Sequence, residues 1–214
     1  MMVDINVGWW PYADREDPDM KVTKAQAQAN RTHIVETAST LFRERGYDGV
    51  GVADLMAAAG FTHGGFYKHF QSKTDLMAEA ATCGFSQTVA KTMDVDTAAF
   101  VKEYLSREHR DAPGHGCTMA ALSGDAARQP EPVKEAFAEG IERLLATLEG
   151  IEKPKGAAAR RTARARRIDA FAQIVGAIVL SRACPDDSSL ADEILDTCRS
   201  AALSRLSALE KDLA

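Results

Sequence analysis

The chain has 214 residues, 45% of them apolar and 27% charged, with a net charge of −5. That size and balance support one or two domains with a core of their own and exclude collagen-like, coiled-coil and wholly disordered chains. No charge-free stretch is long enough to span a bilayer, no basic-then-apolar leader opens the chain, and Cys83, Cys117, Cys184 and Cys198 form no C-x-x-C pair, so a reduced cytoplasmic protein without a membrane partner is expected.

Residues 1–22 read as a tail: Trp9-Trp10-Pro11-Tyr12 precedes an acidic, proline-containing run without any period, a composition that does not build a core. The charge then changes sign, with seven basic against five acidic side chains over residues 21–75. A helix is predicted from Thr23, because Ile34, Val35, Ala38, Leu41 and Phe42 share one face at a 3.6-residue period. Gly46 stops it. Val52, Leu55, Met56 and Ala59 predict a short second helix, Gly60-Phe61 a turn, and Thr62 a side-chain N-cap to a third helix over about residues 62–70. Ser72, with Asp75 three residues on, starts a longer helix that runs to about residue 91.

The remainder is also helical in pattern. Asp96 caps a helix carrying Phe100, Val101, Tyr104 and Leu105, and Asp111-Ala112-Pro113-Gly114 breaks the chain. Another helix spans Cys117 to Arg128. Stripes follow at Val133, Phe137, Ile141, Leu144, Leu145 and Leu148, then at Ile168, Phe171, Ala172, Val175, Ile178 and Val179, then from Leu190 to Leu209. No segment alternates as a strand with turn chemistry at its ends, so the fold class expected is all-α.

Two short helices joined by a glycine turn, behind a longer first helix, form a helix-turn-helix layout. Phe61, Phe66 and Phe70 recur on the inner side of the third helix. Its outer side then holds His63, Gly64, Gly65 and Lys68, with Tyr67 and His69 oblique. That surface is polar, aromatic, basic and slim at its start, as a probe of the major groove must be. The Thr62 hydroxyl and Lys73 suit phosphate oxygens. Gly64 and Gly65 weaken a helix by about 1 kcal/mol each relative to alanine, and also permit close approach to a duplex.

The runs Gly51-Val52-Ala53-Asp54-Leu55-Met56-Ala57-Ala58-Ala59-Gly60, Phe61-Thr62-His63-Gly64-Gly65-Phe66-Tyr67-Lys68-His69-Phe70 and Lys73-Thr74-Asp75-Leu76 resemble the signature of TetR/AcrR-family transcriptional regulators, most specifically in the Tyr-x-His-Phe tetrad followed by Ser-Lys-x-x-Leu. The likeness covers about residues 28–80. It implies that Thr62, Tyr67, His69 and Lys73 hold the DNA backbone and that His63, Gly65 and Lys68 face base edges. It also implies a homodimer on a pseudo-palindromic double-stranded operator. The organisation it suggests is a tail (1–22), a DNA-binding domain (23–75) and an effector-binding and dimerisation domain (76–214).

In the body, Phe85, Phe100, Tyr104, Met119, Phe137 and Phe171 make an ordinary core inventory. The resemblance implies a pocket for a small-molecule effector there, with Tyr104, His115, Cys117 and Met119 as its polar or polarisable handles. Gly176 allows close helix approach in a dimer. The run from Lys153 to Arg167, with seven basic residues and no acidic one, is read as a solvated helix start paired with carboxylates such as Glu142. Neither a cofactor nor a metal is expected, since His109, His115 and Cys117 match no ligand spacing. Two rival readings are a thiol or electrophile switch at Cys117, placed at a helix start that lowers a thiol's pKa, and a small helical enzyme or ligand-binding protein with a vestigial DNA module. No phosphate loop, G-x-S-x-G or H-E-x-x-H motif supports an enzyme.

Overall fold

The computed structural model describes residues 23–92, 95–152 and 156–213, with backbone alone at 148–152 and 209–213. The tail with Trp9 and Trp10, and Lys153 and Lys155 of the basic run, lie outside the described residues. Among those described, every regular element is helical, as expected. The order is α1 (Lys24–Arg45), α2 (Val52–Ala58), a 3-10 helix (His63–Lys68), α3 (Lys73–Thr92), α4 (Thr97–Tyr104) and α5 (Arg107–Asp111). A second 3-10 helix (Pro113–His115), α6 (Thr118–Ala126), α7 (Glu131–Glu152), α8 (Ala157–Arg182) and α9 (Ser189–Leu213) follow.

Local chemistry sets the boundaries. The Thr23 hydroxyl accepts from the Gln26 N–H at 3.1 Å. Asp96 accepts from Ala99 at 2.9 Å, and Ser72 from Asp75 at 3.1 Å, each satisfying an orphan N–H of a first turn. Gly46 ends α1 at φ 74° and Gly60 turns the chain at φ 79°, a left-handed region that a side chain would strain.

The stripe of α1 buries Ile34, Val35, Ala38 and Phe42 against Leu55 and Met56 of α2, Phe66, Phe70, and Leu76 of α3. The division expected near residue 75 falls inside the first turn of α3, whose Leu76, Met77 and Ala80 belong to that same core. At its other end α3 packs on α7 across Gly140, where an added Cβ would lie 2.3 Å from two ring carbons of Phe85. The Phe85 ring meets Phe137 edge-on at 5.2 Å.

Two features depart from the sequence reading. Helix α5 occupies a segment to which the sequence assigned no element, running into the expected break at Asp111–Gly114, and is clasped to α8 by reciprocal arginines. Arg110 donates to the carbonyls of Ser181 and Cys184, both at 3.1 Å. Arg182 donates to those of Arg110 at 2.9 Å and His109 at 2.8 Å. Each guanidinium satisfies last-turn carbonyls of the other helix, where a positive charge also suits the dipole. The stripe on α8 divides in two: Ile178 faces the core, beside Ile174 and Ala177, which the stripe did not include, whereas Ile168 and Val179 are 47% and 46% exposed.

Candidate nucleic-acid interface and ligand cavity

The segment after Gly60 is a 3-10 helix rather than the α-helix expected over 62–70. The Gly65 N–H donates to the Thr62 carbonyl at 2.9 Å, and the His69 N–H to Phe66 at 2.9 Å. This i to i+3 pattern removes the need for a side-chain cap, and the Thr62 hydroxyl makes no cap hydrogen bond. Phe66 and Phe70 are 1% and 2% exposed, with ring centroids 5.5 Å apart; Phe61 is half-buried against the same core. Over this aromatic base Thr62, His63, Gly64, Tyr67 and Lys68 are exposed, Tyr67 by 68%, while Gly65 and His69 are half-buried. The His63 and Tyr67 rings stand edge to face at 6.3 Å.

Neither Gly64 nor Gly65 has a positive φ. A Cβ at Gly64 would meet nothing within 4 Å, and one at Gly65 would make ordinary contact with Met56 Cε at 3.5 Å. The fold of the free chain therefore requires neither glycine.

Residues that the sequence did not single out brace the segment. Arg31 of α1 donates from Nε to the His69 carbonyl at 3.2 Å, lies 4.7 Å from the centroid of the Phe70 ring, and pairs through both terminal nitrogens with Glu79 of α3. Lys73 is half-buried. Its Nζ donates to the Tyr47 carbonyl at 2.5 Å and sits 6.0 Å from the Phe42 ring. The Tyr47 N–H in turn donates to Asp125 of α6 at 3.2 Å. The turn between α1 and α2 is thus tied to the body on both sides of one residue.

A cavity of about 420 Å³ opens among α3, α4, α6, α7, α8 and α9, with Thr88, Phe100, Met119, Leu144, Phe171 and Leu206 in its wall. A second cleft of about 560 Å³ adjoins it, with Gln87, Lys91, Glu103, His109 and His115 in its wall. Of the residues expected in a pocket, Phe100, Tyr104 and Cys117 line both spaces, Met119 and Phe171 the first, and His115 the second. Phe85 and Phe137 line neither. Their edge-on contact beneath Gly140 makes them core, which corrects that expectation.

His109, in the wall of the second cleft, braces two residues that line both spaces, Tyr104 and Cys117. Its Nδ1–H donates to the Tyr104 carbonyl at 2.7 Å, and its Nε2 accepts from the Cys117 N–H at 3.1 Å. Both contacts together require the neutral imidazole with the proton on Nδ1. Burial lowers the His109 pKa below its ordinary value. Burial likewise pushes the Tyr104 phenol well above its usual range, and the neighbouring Cys117 sulfur adds to the shift; the hydroxyl has no oxygen or nitrogen partner. Cys117 is 5% exposed at the N-cap of α6.

The described part of the basic run has mixed fates. Arg164 forms two hydrogen bonds to Glu142, each 2.7 Å, which hold that carboxyl below its usual range. Arg160 and Arg161 are exposed. Arg167 is buried, a placement that the sequence did not reveal.

With this geometry in view, comparison with known proteins is informative. Residues 34–80 match the family model for bacterial regulatory proteins of the tetR family. The repressor DhaR of Mycobacterium sp. (strain GP1) is 32% identical over 99 residues, covering 44% of this chain and 50% of DhaR. The regulator AcrR of Shigella flexneri is 40% identical over 57 residues, covering 27% of this chain and 26% of AcrR. The chain thus spans about half or less of these relatives' length. Similarity in fold extends further. Reduced NemR of Escherichia coli superposes with a TM-score of 0.64 at 19% identity, over 81% of this chain and 95% of that one. A TetR-family regulator of Agrobacterium tumefaciens does so with a TM-score of 0.62 at 21% identity, over 84% and 98%. Residues 34–80 thus carry the helix-turn-helix domain of the tetR family of bacterial regulatory proteins, and the likeness in fold extends from it through the helical body.

Proposed function

We propose that the protein is a homodimeric repressor that binds a pseudo-palindromic DNA operator through Thr62, His63, Gly64, Gly65, Tyr67, Lys68 and His69, and releases it when a small molecule occupies the cavity of the body. The observation that carries this reading is the segment at 62–68: an exposed polar, aromatic and basic ridge on a buried aromatic base, with two glycines that the chain's own packing does not need. Such a ridge presents side chains to base edges and lets backbone approach phosphates. Lys73, bound to Tyr47, serves this surface by fixing the turn behind it.

Pairing of two copies is supported by the outer face of α8, where Ile168, Val179 and Leu180 are exposed. A Cβ at Gly176 on that helix would meet nothing in its own chain. Two such helices from each copy make a four-helix contact. Response to a ligand is supported by two links from the cavities to α1. Cys117 and Met119 belong to the cavity wall at one end of α6, and Asp125 near its other end holds Tyr47. Arg43 of α1 donates to the Gly114 carbonyl at 2.9 Å beside the second cleft. A coupling of about 1–3 kcal/mol between the sites is expected.

Selection of bound sequences from a random duplex pool tests the reading. Two half-sites about one helical turn apart are expected, with Tyr67→Ala and Lys68→Ala each weakening binding to the selected duplex about tenfold or more. A protein indifferent to every duplex in the pool would overturn it. Operator release in this reading survives Cys117→Ser; its loss would favour a thiol switch instead.

A further inference from the structure

Resting on the reading of the 420 Å³ cavity as the effector site, we infer that its ligand is an amphiphilic carboxylate, with an apolar body among Phe100, Val101, Met119, Phe171, Ile174 and Leu206 and its anionic head on Arg167 and the Tyr104 hydroxyl.

Arg167 projects from the middle of α8, lines the cavity and is only 6% exposed. Its Nε and Nη1 have no hydrogen-bond partner. The other two buried arginines of the described chain behave differently. Arg43 gives its donors to the Gly114 carbonyl and the Ser39 hydroxyl, and Arg110 gives its own to the Ser181 and Cys184 carbonyls and to Asp111. A buried guanidinium cannot lose its proton, so unpaired donors on it remain a standing penalty that an anion removes. Tyr104, also 6% exposed, lines the same cavity, and its hydroxyl has the weak Cys117 sulfur beside it in place of an oxygen or nitrogen acceptor. Burial keeps that phenol protonated, and so able to donate.

The surrounding charge points the same way. Arg166 and Arg205 also line the cavity, against one carboxylate, Asp169, which Arg205 holds at 3.0 Å. The rest of the wall is mostly apolar, so a small inorganic anion would leave it unfilled, whereas a neutral apolar guest would leave the Arg167 donors unsatisfied. A chain or ring system carrying a carboxylate satisfies both parts.

Calorimetric titration of the full chain with decanoate and with decanol tests this. Decanoate is expected to bind at least tenfold more tightly than decanol. Arg167→Met should reduce that preference to within about threefold while the ligand-free melting temperature stays level or rises, because the arginine that it removes was unpaired; a merely structural arginine would lower it. Tyr104→Phe, expected to weaken decanoate a fewfold and leave decanol unchanged, serves as a second variant if Arg167→Met does not fold. Equal binding of both probes, each releasing operator DNA, would overturn the carboxylate inference and leave the cavity as effector site. Undiminished preference for decanoate in both variants would also overturn it. Binding of neither probe would remove the inference and the cavity reading together.

Discussion

Replacing Gly64 with alanine separates what the free fold wants from what a duplex would want. Gly64 has no positive φ and its added Cβ would touch nothing within 4 Å. The free protein therefore gains from the loss of unfolded-chain freedom, by about 0.4–1 kcal/mol. For a chain of this size that is a rise of about 1–4 °C in melting temperature. Against a duplex the same methyl projects from the exposed ridge into the space that backbone and DNA share. If the glycine serves close approach, affinity falls at least tenfold, about 1.4 kcal/mol, in the variant that melts higher. Fluorescence anisotropy on the selected duplex, beside thermal melts, reads both quantities. Because the clash is steric, the slope of affinity against salt should not change. Gly65→Ala is the internal control: its Cβ turns towards Met56 at 3.5 Å, so its effect on binding should be smaller. A Gly64→Ala protein that binds as well as the native one, or better, would refute the reasoning.

Other outcomes follow from the packing. Gly140→Ala forces a Cβ to 2.3 Å from the Phe85 ring, which also meets Phe137 edge-on at 5.2 Å, so a loss of about 1–3 kcal/mol or more is expected in urea unfolding; an unchanged midpoint would contradict the α3–α7 contact. Gly176→Arg should leave the monomer folded and shift sedimentation from dimer to monomer, since its own chain leaves that position open. His109 has a lowered folded pKa, from burial first and from Arg182 and Lys91, with its hydrogen bond to the Tyr104 carbonyl and Glu103 opposing. The unfolded chain then binds its proton first as pH falls through about 6.5, so stability is full above that value and declines below it, by at most about 1.4 kcal/mol per pH unit. A His109→Gln variant should flatten that part of the profile; an equally steep decline in the variant would assign it to other groups.

Much of the fold is legible in the sequence because one-sided burial leaves a period. The stripe of α1 and the inward Phe66 and Phe70 are of this kind, and the caps at Ser72 and Asp96 are legible because their side chains accept from first-turn N–H groups. The 3-10 geometry of His63–Lys68 was not legible, since over six residues the i+3 and i+4 patterns place the same aromatics inside. Helix α5, with five residues, is too short to show any period and is held by tertiary arginines. On α8, the exposed Ile168 and Val179 and the buried Ile178 are equally apolar, so two faces merged into one stripe. Cavity walls and core draw on the same side chains, which is why Phe85 and Phe137 could not be told from Phe100 and Phe171. Nor does composition reveal which glycine lets helices approach: Gly140 has a ring beneath it and Gly176 has open space. Arg167 stands in a run of arginines, and only coordinates distinguish the one that is buried.

The unbroken course of α3 has a mechanical consequence. Its 20 residues form a rod about 30 Å long at 1.5 Å per residue, with Thr88 at the cavity end and Lys73 at the other. A tilt of about 5° about the cavity end sweeps the far end of such a rod by roughly 2.6 Å. In the two-fold pair proposed above the sweeps would oppose one another, so the two reading heads would separate by about 5 Å, against a groove-to-groove repeat of about 34 Å. In the proposed dimer, a tilt of that size on effector binding would put one head out of phase with the duplex while the other stays in place.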